Sequence, residues 1–251
     1  MSGDGQERFH PCVIVPTYNN PVTVRAVVER VREHCEQVLV VDDGSDEPGR
    51  LACEALADEG LARVTRRERN GGKGAAVKTG FQLARDQGFS HAAQVDADGQ
   101  HDLERLPDFL QAARERPNAL ILGYPVYDDS VHKGRLVARR ITGFWVALEL
   151  GSTEIIEDAM VGFRVYPLAA ATSVPVRGDR MDFDVEIAVR MARAGVPIVN
   201  LPVGVRYLSG DEGGVSHFRI FGDNLRLSWM HTRLCVQGLW RWFRSRLRLT
   251  P

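Results

Sequence analysis

Short apolar runs alternate with helical periodicity through the first half of the chain. The runs lie at residues 13–16, 38–41, 61–64 and 91–95, and each is followed by a polar cluster. Between the first two runs, valines recur at helical spacing. Alternating strands and helices predict an α/β fold with a mostly parallel sheet and helices on both of its faces. Ligands of such sheets bind outside the carboxyl ends of the strands, where the polar clusters lie.

The second half of the chain is less regular but is built from the same two kinds of element. The predicted elements are strands at 120–123, 161–165 and 198–205, and helices at 136–150 and 183–194. No internal repeat or interdomain linker interrupts the pattern. We therefore expect one domain over residues 1–216, followed by a helical tail over residues 217–251.

Charge is distributed unevenly along the 251 residues, although the net charge is only −1. The tail contains seven arginines and one acid, a charge of +6, whereas the body has 25 basic and 32 acidic residues, a charge of −7. Aromatic residues are interleaved with these arginines, a mixture that suits an anionic membrane surface. A helix packed on the domain with its arginines in water is the alternative. Binding of nucleic acid is disfavoured, because no recognised motif is present.

Three features predict a cytoplasmic protein. The longest apolar stretches fall far short of the roughly 20 residues that a membrane-spanning helix needs. The polar N-terminus lacks the apolar core of a secretory signal. The four cysteines form no CxxC pair, which is typical of reduced thiols. With the tail on lipid, the predicted location is peripheral, at the inner face of the membrane.

The clearest chemical signal is the pair of carboxylates Asp96 and Asp98, directly after the run at residues 91–95. Together with the amide oxygen of Gln100, they offer the hard oxygen ligands that Mg²⁺ or Mn²⁺ prefers, and they leave positions open for a diphosphate. A solvated acidic turn or a helix cap is the alternative for an isolated DxD. The position at a predicted strand end favours the metal site.

Two further clusters follow neighbouring predicted strands. Asp42 and Asp43 can accept hydrogen bonds from a nucleobase or a ribose, although helix capping by Asp43 or Ser45 also fits. In residues 70–74, the glycines allow close backbone approach and Lys73 can contact phosphate, although a surface turn is the alternative. Walker and GxGxxG patterns are absent, which disfavours an ATPase and a dinucleotide dehydrogenase.

Taken in order, these segments resemble glycosyltransferase family 2, and within it the dolichol-phosphate mannosyltransferase branch. The resemblance is carried by residues 13–19, 40–45, 70–74 and 96–100 and by Gly162, Phe163 and Arg164. It implies a GT-A fold with a Rossmann-like sheet, a UDP- or GDP-sugar donor, a divalent metal, and inversion at the anomeric carbon. One position departs from the branch, which commonly has Glu where this chain has Asn20.

The resemblance also implies roles for individual residues. Asp96, Asp98 and Gln100 would hold the metal, which would neutralise the departing diphosphate, so that Asp98 is needed for turnover. Lys73 and Asp96 would support the donor. The nucleoside pocket would be lined by Pro16, Tyr18, Asn19, Asp42 and Asp43.

The acceptor is predicted to be lipid-linked, either a polyprenyl phosphate or a lipid hydroxyl. Asp184 begins a predicted helix at the place where relatives that glycosylate hydroxyls keep a general base, although acids also favour a helix N-terminus. A phosphate acceptor needs no base. Cations between Tyr127 and Arg140 would suit a phosphate, although a charged, solvated loop is the alternative. The segment 213–219 resembles the family's late glycine-rich segment, which closes over the donor diphosphate, and His217 could contact phosphate or metal or be structural. A non-catalytic nucleotide-sugar-binding module is the alternative function.

Overall fold

The computed structural model describes residues 9–127, 133–206 and 220–247, and the elements below are those of the described residues. The strands are β1 (Pro11–Thr17), β2 (Val38–Asp42), β3 (Arg63–Arg66), β4 (His91–Gln94), β5 (Leu120–Tyr127), β6 (Arg164–Pro167) and β7 (Ile198–Val205). The helices are α1 (Val24–Arg32), α2 (Glu47–Asp58), α3 (Lys73–Asp86), α4 (Leu106–Glu115), α5 (Lys133–Leu150), α6 (Leu168–Ser173), α7 (Asp182–Arg193) and α8 (Ile220–Leu247). A short 3₁₀ turn, Leu103–Arg105, precedes α4.

The seven strands form one sheet in the order β3-β2-β1-β4-β6-β5-β7. Every pairing is parallel except the two made by β6, which runs antiparallel to both β4 and β5. This confirms the predicted mostly parallel sheet. The prediction missed the reversed direction of β6, because a run of apolar residues indicates a buried strand but not its direction.

The strand predicted at residues 161–165 begins later than expected, at Arg164. The carboxylate of Asp158 explains the shift, since its Oδ1 accepts hydrogen bonds from the N–H groups of Met160 at 2.7 Å and Val161 at 2.8 Å. Backbone groups that a side chain satisfies in this way are not available to a strand ladder. Residues 158–162 therefore form a loop, and this loop lies beside the site described below.

Helices cover both faces of the sheet, as predicted. Along β1, Cys12 and Ile14 face one apolar cluster, whereas Val13 and Val15 face a second. The first cluster includes residues from α3, α6, α7 and α8, and the second includes residues from α1, α2 and α4. The alternation along β1 is the period of two that a strand buried on both faces requires.

The C-terminal helix α8 packs against α5 and α7. Leu227, Met230 and Leu234 on its inner face are buried in the first apolar cluster. Two polar contacts support this docking: His231 Nδ1 lies 2.9 Å from Glu149 Oε1, and the carbonyl of Leu234 accepts a hydrogen bond from Arg193. The division of the chain at residue 216 stays a prediction. Among the described helices, none combines the length and the apolar character that crossing a bilayer requires.

Gly80 allows α3 to pack closely on the sheet, because a Cβ at this position would lie 2.6 Å from Ile14 Cγ2. Gly80→Ala is expected to lower the free energy of unfolding by about 1–3 kcal/mol through overpacking. Gly143 in α5 has open space at the same position, so Gly143→Ala should instead raise stability by about 0.5–1 kcal/mol. Urea denaturation of both variants checks the pair, and a loss of stability in Gly143→Ala would contradict this account.

Candidate active site

The carboxyl ends of β1, β2 and β4 lie side by side at one edge of the sheet. The parallel register places Thr17 beside Asp42 and Ile14 beside Gln94. The polar segments that follow these strands therefore meet at the same edge, as the topology requires. The N-terminus of α3 is held close to the start of α7. The Ala75 N–H donates a hydrogen bond to the carbonyl of Asp179, three residues before α7 begins.

Asp43 binds the glycine-rich loop. It is 2% exposed, and its carboxylate accepts hydrogen bonds from the N–H groups of Gly71 at 3.1 Å and Gly72 at 2.6 Å and pairs with Arg67. Gly72 has a φ of 104°, a conformation that side chains rarely adopt. The carboxylate is thus engaged in shaping the loop, and a contact between Asp43 and a ligand stays a prediction.

Asp42, at the end of β2, also binds a backbone N–H group and an arginine. Its Oδ1 accepts a hydrogen bond from the N–H of Ser45 at 2.8 Å, and Oδ2 pairs with Arg66. Arg66 also donates to the Ser45 carbonyl at 2.7 Å. These contacts fix the turn that leads into α2, and the capping residue there is Asp46 rather than Asp43 or Ser45.

The loop after β1 is locked to the start of α2. Asn19 adopts a left-handed conformation, with φ at 54°. Its N–H donates to Ser45 Oγ at 2.9 Å, and its Oδ1 accepts from the N–H of Asp46 at 2.8 Å. Pro16 is buried in β1 and Tyr18 is partly buried. Tyr18 and Asn19 therefore lie on a loop of defined shape, directly after the strand that contains Pro16. The role of these residues in a nucleoside pocket stays a prediction.

Asn20, where the resembled branch commonly has Glu, is buried and contacts its own loop. Its Oδ1 accepts hydrogen bonds from the Tyr18 N–H at 3.3 Å and from Thr17 Oγ1 at 3.4 Å. An amide oxygen at this position can accept these bonds without adding a negative charge. Asn20 therefore keeps a loop-forming acceptor and carries no negative charge.

Lys73 joins two of the predicted carboxylates. Its Nζ lies 2.8 Å from Asp96 Oδ2, after β4, and 2.8 Å from Asp184 Oδ2, in the first turn of α7. The ammonium side chain is 15% exposed, so the cluster is largely shielded from water. The structure thus brings together one residue each from the glycine-rich, DxD and α7 segments.

The electrostatics of this cluster follow from burial and charge together. Burial lowers the pKa of Lys73, but the carboxylates of Asp184 and Asp96 overcome that effect and hold the pKa above its ordinary value. Burial raises the pKa of Asp184, but Lys73 and then Arg164 reverse the shift and hold it below the ordinary value. At neutral pH, the ammonium and the Asp184 carboxylate are both charged.

A buried polar network that the sequence reasoning missed supports Asp184. Gln94 Nε2 donates to Asp184 Oδ1 at 3.1 Å, and Tyr166 donates to Gln94 Oε1 at 3.0 Å. Arg164 donates at 2.6 Å to the backbone carbonyl of Asp184. One signal was available, since a glutamine at a buried position of a strand must find a hydrogen-bond partner.

The DxD segment has the character of a cation site. Asp96 Oδ1 is buried and has no hydrogen-bond partner among the described residues, and Asp98 Oδ1 accepts only the N–H of Gln100, at 3.1 Å. Burial, and then the charge of Asp96, raise the pKa of Asp98. A Cβ at Gly162 would overlap the Asp96 carboxylate and Lys73 Nζ. These residues fit a divalent cation, because such a cation prefers carboxylate oxygens and Asp96 Oδ1 has no hydrogen-bond partner among the described residues.

Some predicted contacts lie outside the described residues. They are His217 with the rest of segment 213–219, and the part of the acceptor loop at residues 128–132.

Solved structures share the fold of this chain. Glucosyl-3-phosphoglycerate synthase from Mycobacterium tuberculosis, in complex with Mn²⁺, uridine diphosphate and phosphoglyceric acid, aligns with a TM-score of 0.67 at 16% identity, over 90% of this chain and 78% of that one. The similarity confirms the GT-A fold that the resemblance implied.

Sequence comparison narrows the class to one family. The sequence model of the family described as glycosyl transferase family 2 matches residues 12–169 of this chain. The polyprenol monophosphomannose synthase of Mycolicibacterium smegmatis is 33% identical over 224 residues, which cover 85% of this chain and 82% of that protein. The undecaprenyl-phosphate mannosyltransferase of Micrococcus luteus is 29% identical over 204 residues, covering 76% and 81%. The chain belongs to glycosyl transferase family 2 and is a glycosyltransferase, as the sequence motifs predicted.

Lys73→Met would leave two carboxylates close together in a largely buried site, so we expect a loss of about 3–5 kcal/mol in the free energy of unfolding. Lys78, on the same helix, pairs with Asp179 nearer the surface, and Lys78→Met should cost less than about 1 kcal/mol. Chemical denaturation of the two variants gives the comparison. Equal stabilities would show that the Lys73 ammonium does not hold the site together.

Proposed function

We propose that the protein transfers a hexosyl group from a UDP- or GDP-sugar to a polyprenyl phosphate, with a divalent metal. The observation that carries this proposal is the cluster of Lys73, Asp96 and Asp184 beside an unpartnered oxygen of Asp96. The names of the two mannosyl-transferring relatives support a lipid phosphate as the acceptor and mannose as the first sugar to test.

In the proposed reaction, one bond to the anomeric carbon forms and one bond to it breaks. An oxygen of the acceptor phosphate attacks the anomeric carbon and forms a new carbon–oxygen bond. The bond from that carbon to the donor diphosphate breaks, and the electron pair leaves with the nucleoside diphosphate. One displacement of this kind inverts the anomeric configuration. The attacking oxygen is already an anion, so no residue has to remove a proton from it.

Asp96, Asp98 and Gln100 would hold the Mg²⁺ or Mn²⁺, which when bound would neutralise charge on the departing diphosphate. The solved structure with Mn²⁺ and uridine diphosphate on the same fold supports this choice of metals. Lys73 provides a second positive charge at the same edge of the sheet. The residues proposed to line the nucleoside pocket are Pro16, Tyr18, Asn19, Asp42 and Asp43.

Asp184 has two candidate roles, and the geometry favours positioning over base catalysis. A general base must be free to take a proton at neutral pH. The Asp184 carboxylate is instead 2% exposed, paired with Lys73 and hydrogen-bonded to Gln94, and these contacts hold its pKa low. We propose that Asp184 orients Lys73 and shares its charge, so that Lys73 does not neutralise Asp96 completely. The base role would apply only if the acceptor were a hydroxyl.

The proposed reaction can be tested with a polyprenyl phosphate and GDP- or UDP-linked mannose and glucose in the presence of Mn²⁺. The wild-type protein should form a glycosylated lipid phosphate, and EDTA should abolish this product. Asp98→Asn should lower turnover by at least about 10²-fold, because a lost anionic ligand weakens the metal and the diphosphate together. Asp108→Asn, at an exposed surface pair, is the control and should be fully active. Full activity of Asp98→Asn, or turnover in excess EDTA, would refute the metal assignment.

Asp184→Asn separates the two roles of this residue. Without the Asp184 charge, Lys73 should pair more strongly with Asp96 and compete with the metal, which we expect to raise the dissociation constant for Mn²⁺ by roughly tenfold. The rate on a phosphate acceptor at saturating Mn²⁺ should change little. A general base would give the opposite pattern, with unchanged metal affinity and a rate about 10²-fold lower on a hydroxyl acceptor. Metal titration and saturating rates on each acceptor class distinguish the two.

A further inference from the structure

Arg164, the first residue of β6, is an arginine whose side chain is fully buried. Its Nε donates a hydrogen bond to the carbonyl of Val161 at 2.6 Å, and one terminal nitrogen donates to the carbonyl of Ala159 at 2.7 Å. The other terminal nitrogen donates to the carbonyl of Asp184 at 2.6 Å. Arg164 therefore joins the backbone of two segments, the loop at residues 158–162 and the first turn of α7.

Both segments that Arg164 joins contact the cluster of Lys73, Asp96 and Asp184. Asp184 is itself a member of the cluster. In the loop, a Cβ at Gly162 would overlap the Asp96 carboxylate and Lys73 Nζ, so the loop backbone lies directly against that ion pair. A shift of the loop would therefore change the space around Asp96, and a shift of the first turn of α7 would move a partner of Lys73.

A ring of buried side chains keeps Arg164 and Asp184 in one arrangement. Tyr166, two residues after Arg164 on β6, lies beside the guanidinium and donates a hydrogen bond to Gln94 at 3.0 Å. Gln94 donates in turn to Asp184 Oδ1 at 3.1 Å, and a terminal nitrogen of Arg164 lies 4.0 Å from the same oxygen. A buried network whose polar groups satisfy one another is rigid and favours a single arrangement.

We propose that Arg164 is a positioning residue of the candidate active site, which holds the loop at residues 158–162 against Asp96 and fixes Asp184 beside Lys73. The inference rests on the proposed function, in which Asp96 holds the metal and Asp184 orients Lys73. Arg164 acts through these residues, because its own donors bind backbone carbonyls. Its effect is to keep the unpartnered oxygen of Asp96 in place for a divalent cation.

The geometry of the guanidinium suits this role better than its charge alone. A guanidinium presents five N–H donors in a rigid plane, whereas an ammonium is a compact charge on a flexible chain. Arg164→Lys would keep a positive charge close to Asp184 but could not hold the carbonyls of three different residues in the same way. The substitution therefore separates the effect of position from the effect of charge.

Calorimetric titration of the full-length protein with Mn²⁺, without a donor sugar, tests the proposal. Arg164→Lys should weaken Mn²⁺ binding by roughly tenfold or more, because residues that orient metal ligands contribute on this scale. Arg193→Lys is the matched control. Arg193 also donates to two backbone carbonyls, those of Glu149 and Leu234, but at the opposite end of α7. Its substitution should lower the unfolding midpoint in urea and leave the Mn²⁺ affinity at the wild-type value.

Chemical labelling of lysine reports on the cluster without a metal. The chain has only three lysines, so acylation by an amine-reactive reagent can be followed at each of them by mass spectrometry. In the wild type, Lys73 should react more slowly than Lys78, because it is paired with two carboxylates and is 15% exposed against 33%. Arg164→Lys should raise the labelling of Lys73 relative to Lys78, and Arg193→Lys should not.

The same measurements separate this inference from the proposed function. If the wild type binds Mn²⁺ but transfers no sugar, the proposed reaction is refuted, and the Mn²⁺ affinities of the variants still decide the role of Arg164. If the wild type binds no Mn²⁺, the metal assignment is refuted, and the labelling of Lys73 decides instead.

Two results would overturn the positioning role of Arg164. One is wild-type Mn²⁺ affinity and wild-type Lys73 labelling in Arg164→Lys, and the other is an equal loss in Arg164→Lys and Arg193→Lys. If Arg164→Lys does not fold, Tyr166→Phe replaces it, because this variant removes only one hydroxyl from the ring. It should weaken Mn²⁺ binding in the same direction but less, and an unchanged affinity there would also overturn the proposal.

Discussion

A single ammonium group between two largely buried carboxylates connects the elements on which the site depends. Lys73 begins α3, Asp96 follows β4 and Asp184 lies in the first turn of α7. Two ion pairs of one lysine thus connect three distant parts of the chain. Each carboxylate alone would be unfavourable in this position, because removing a charge from water is costly unless it is paired. The lysine therefore offsets part of the cost of burying both carboxylates.

Local patterns made much of the fold predictable. The alternation of apolar runs with helical periodicity indicated the layered α/β architecture. The polar segments that follow β1, β2 and β4 meet at one edge of the sheet, as parallel strands require. Two features of β6 were not predictable. Its antiparallel direction depends on pairing with strands far away in sequence, and its start at Arg164 rather than residue 161 depends on the hydrogen bonds of Asp158. Hydrophobic periodicity indicates which residues are buried, but it does not indicate which strands pair with one another.

For the candidate site, too, the sequence indicated single residues but not the contacts between them. Lys73, Asp96 and Asp184 were recognised individually from motifs, but their meeting at one point follows from tertiary packing. Gln94 and Tyr166 were missed because they belong to strands whose sequences are otherwise unremarkable. The tail shows a related limit: the sequence offered packing on the domain or exposure to lipid as alternatives, whereas a helix has two sides and α8 uses one for packing while the other is exposed.

The contact between Asp43 and the glycine-rich loop changes how the two motifs should be read in sequences. The carboxylate binds backbone groups 28 and 29 residues further along the chain, so the segments at 42–45 and 70–74 act as one folding unit. Loss of Asp43 would release the loop whether or not a nucleotide ever touches that carboxylate. Persistence of this aspartate across an alignment would therefore report selection for loop geometry as much as for a ligand, and its presence alone should not be used to infer donor identity.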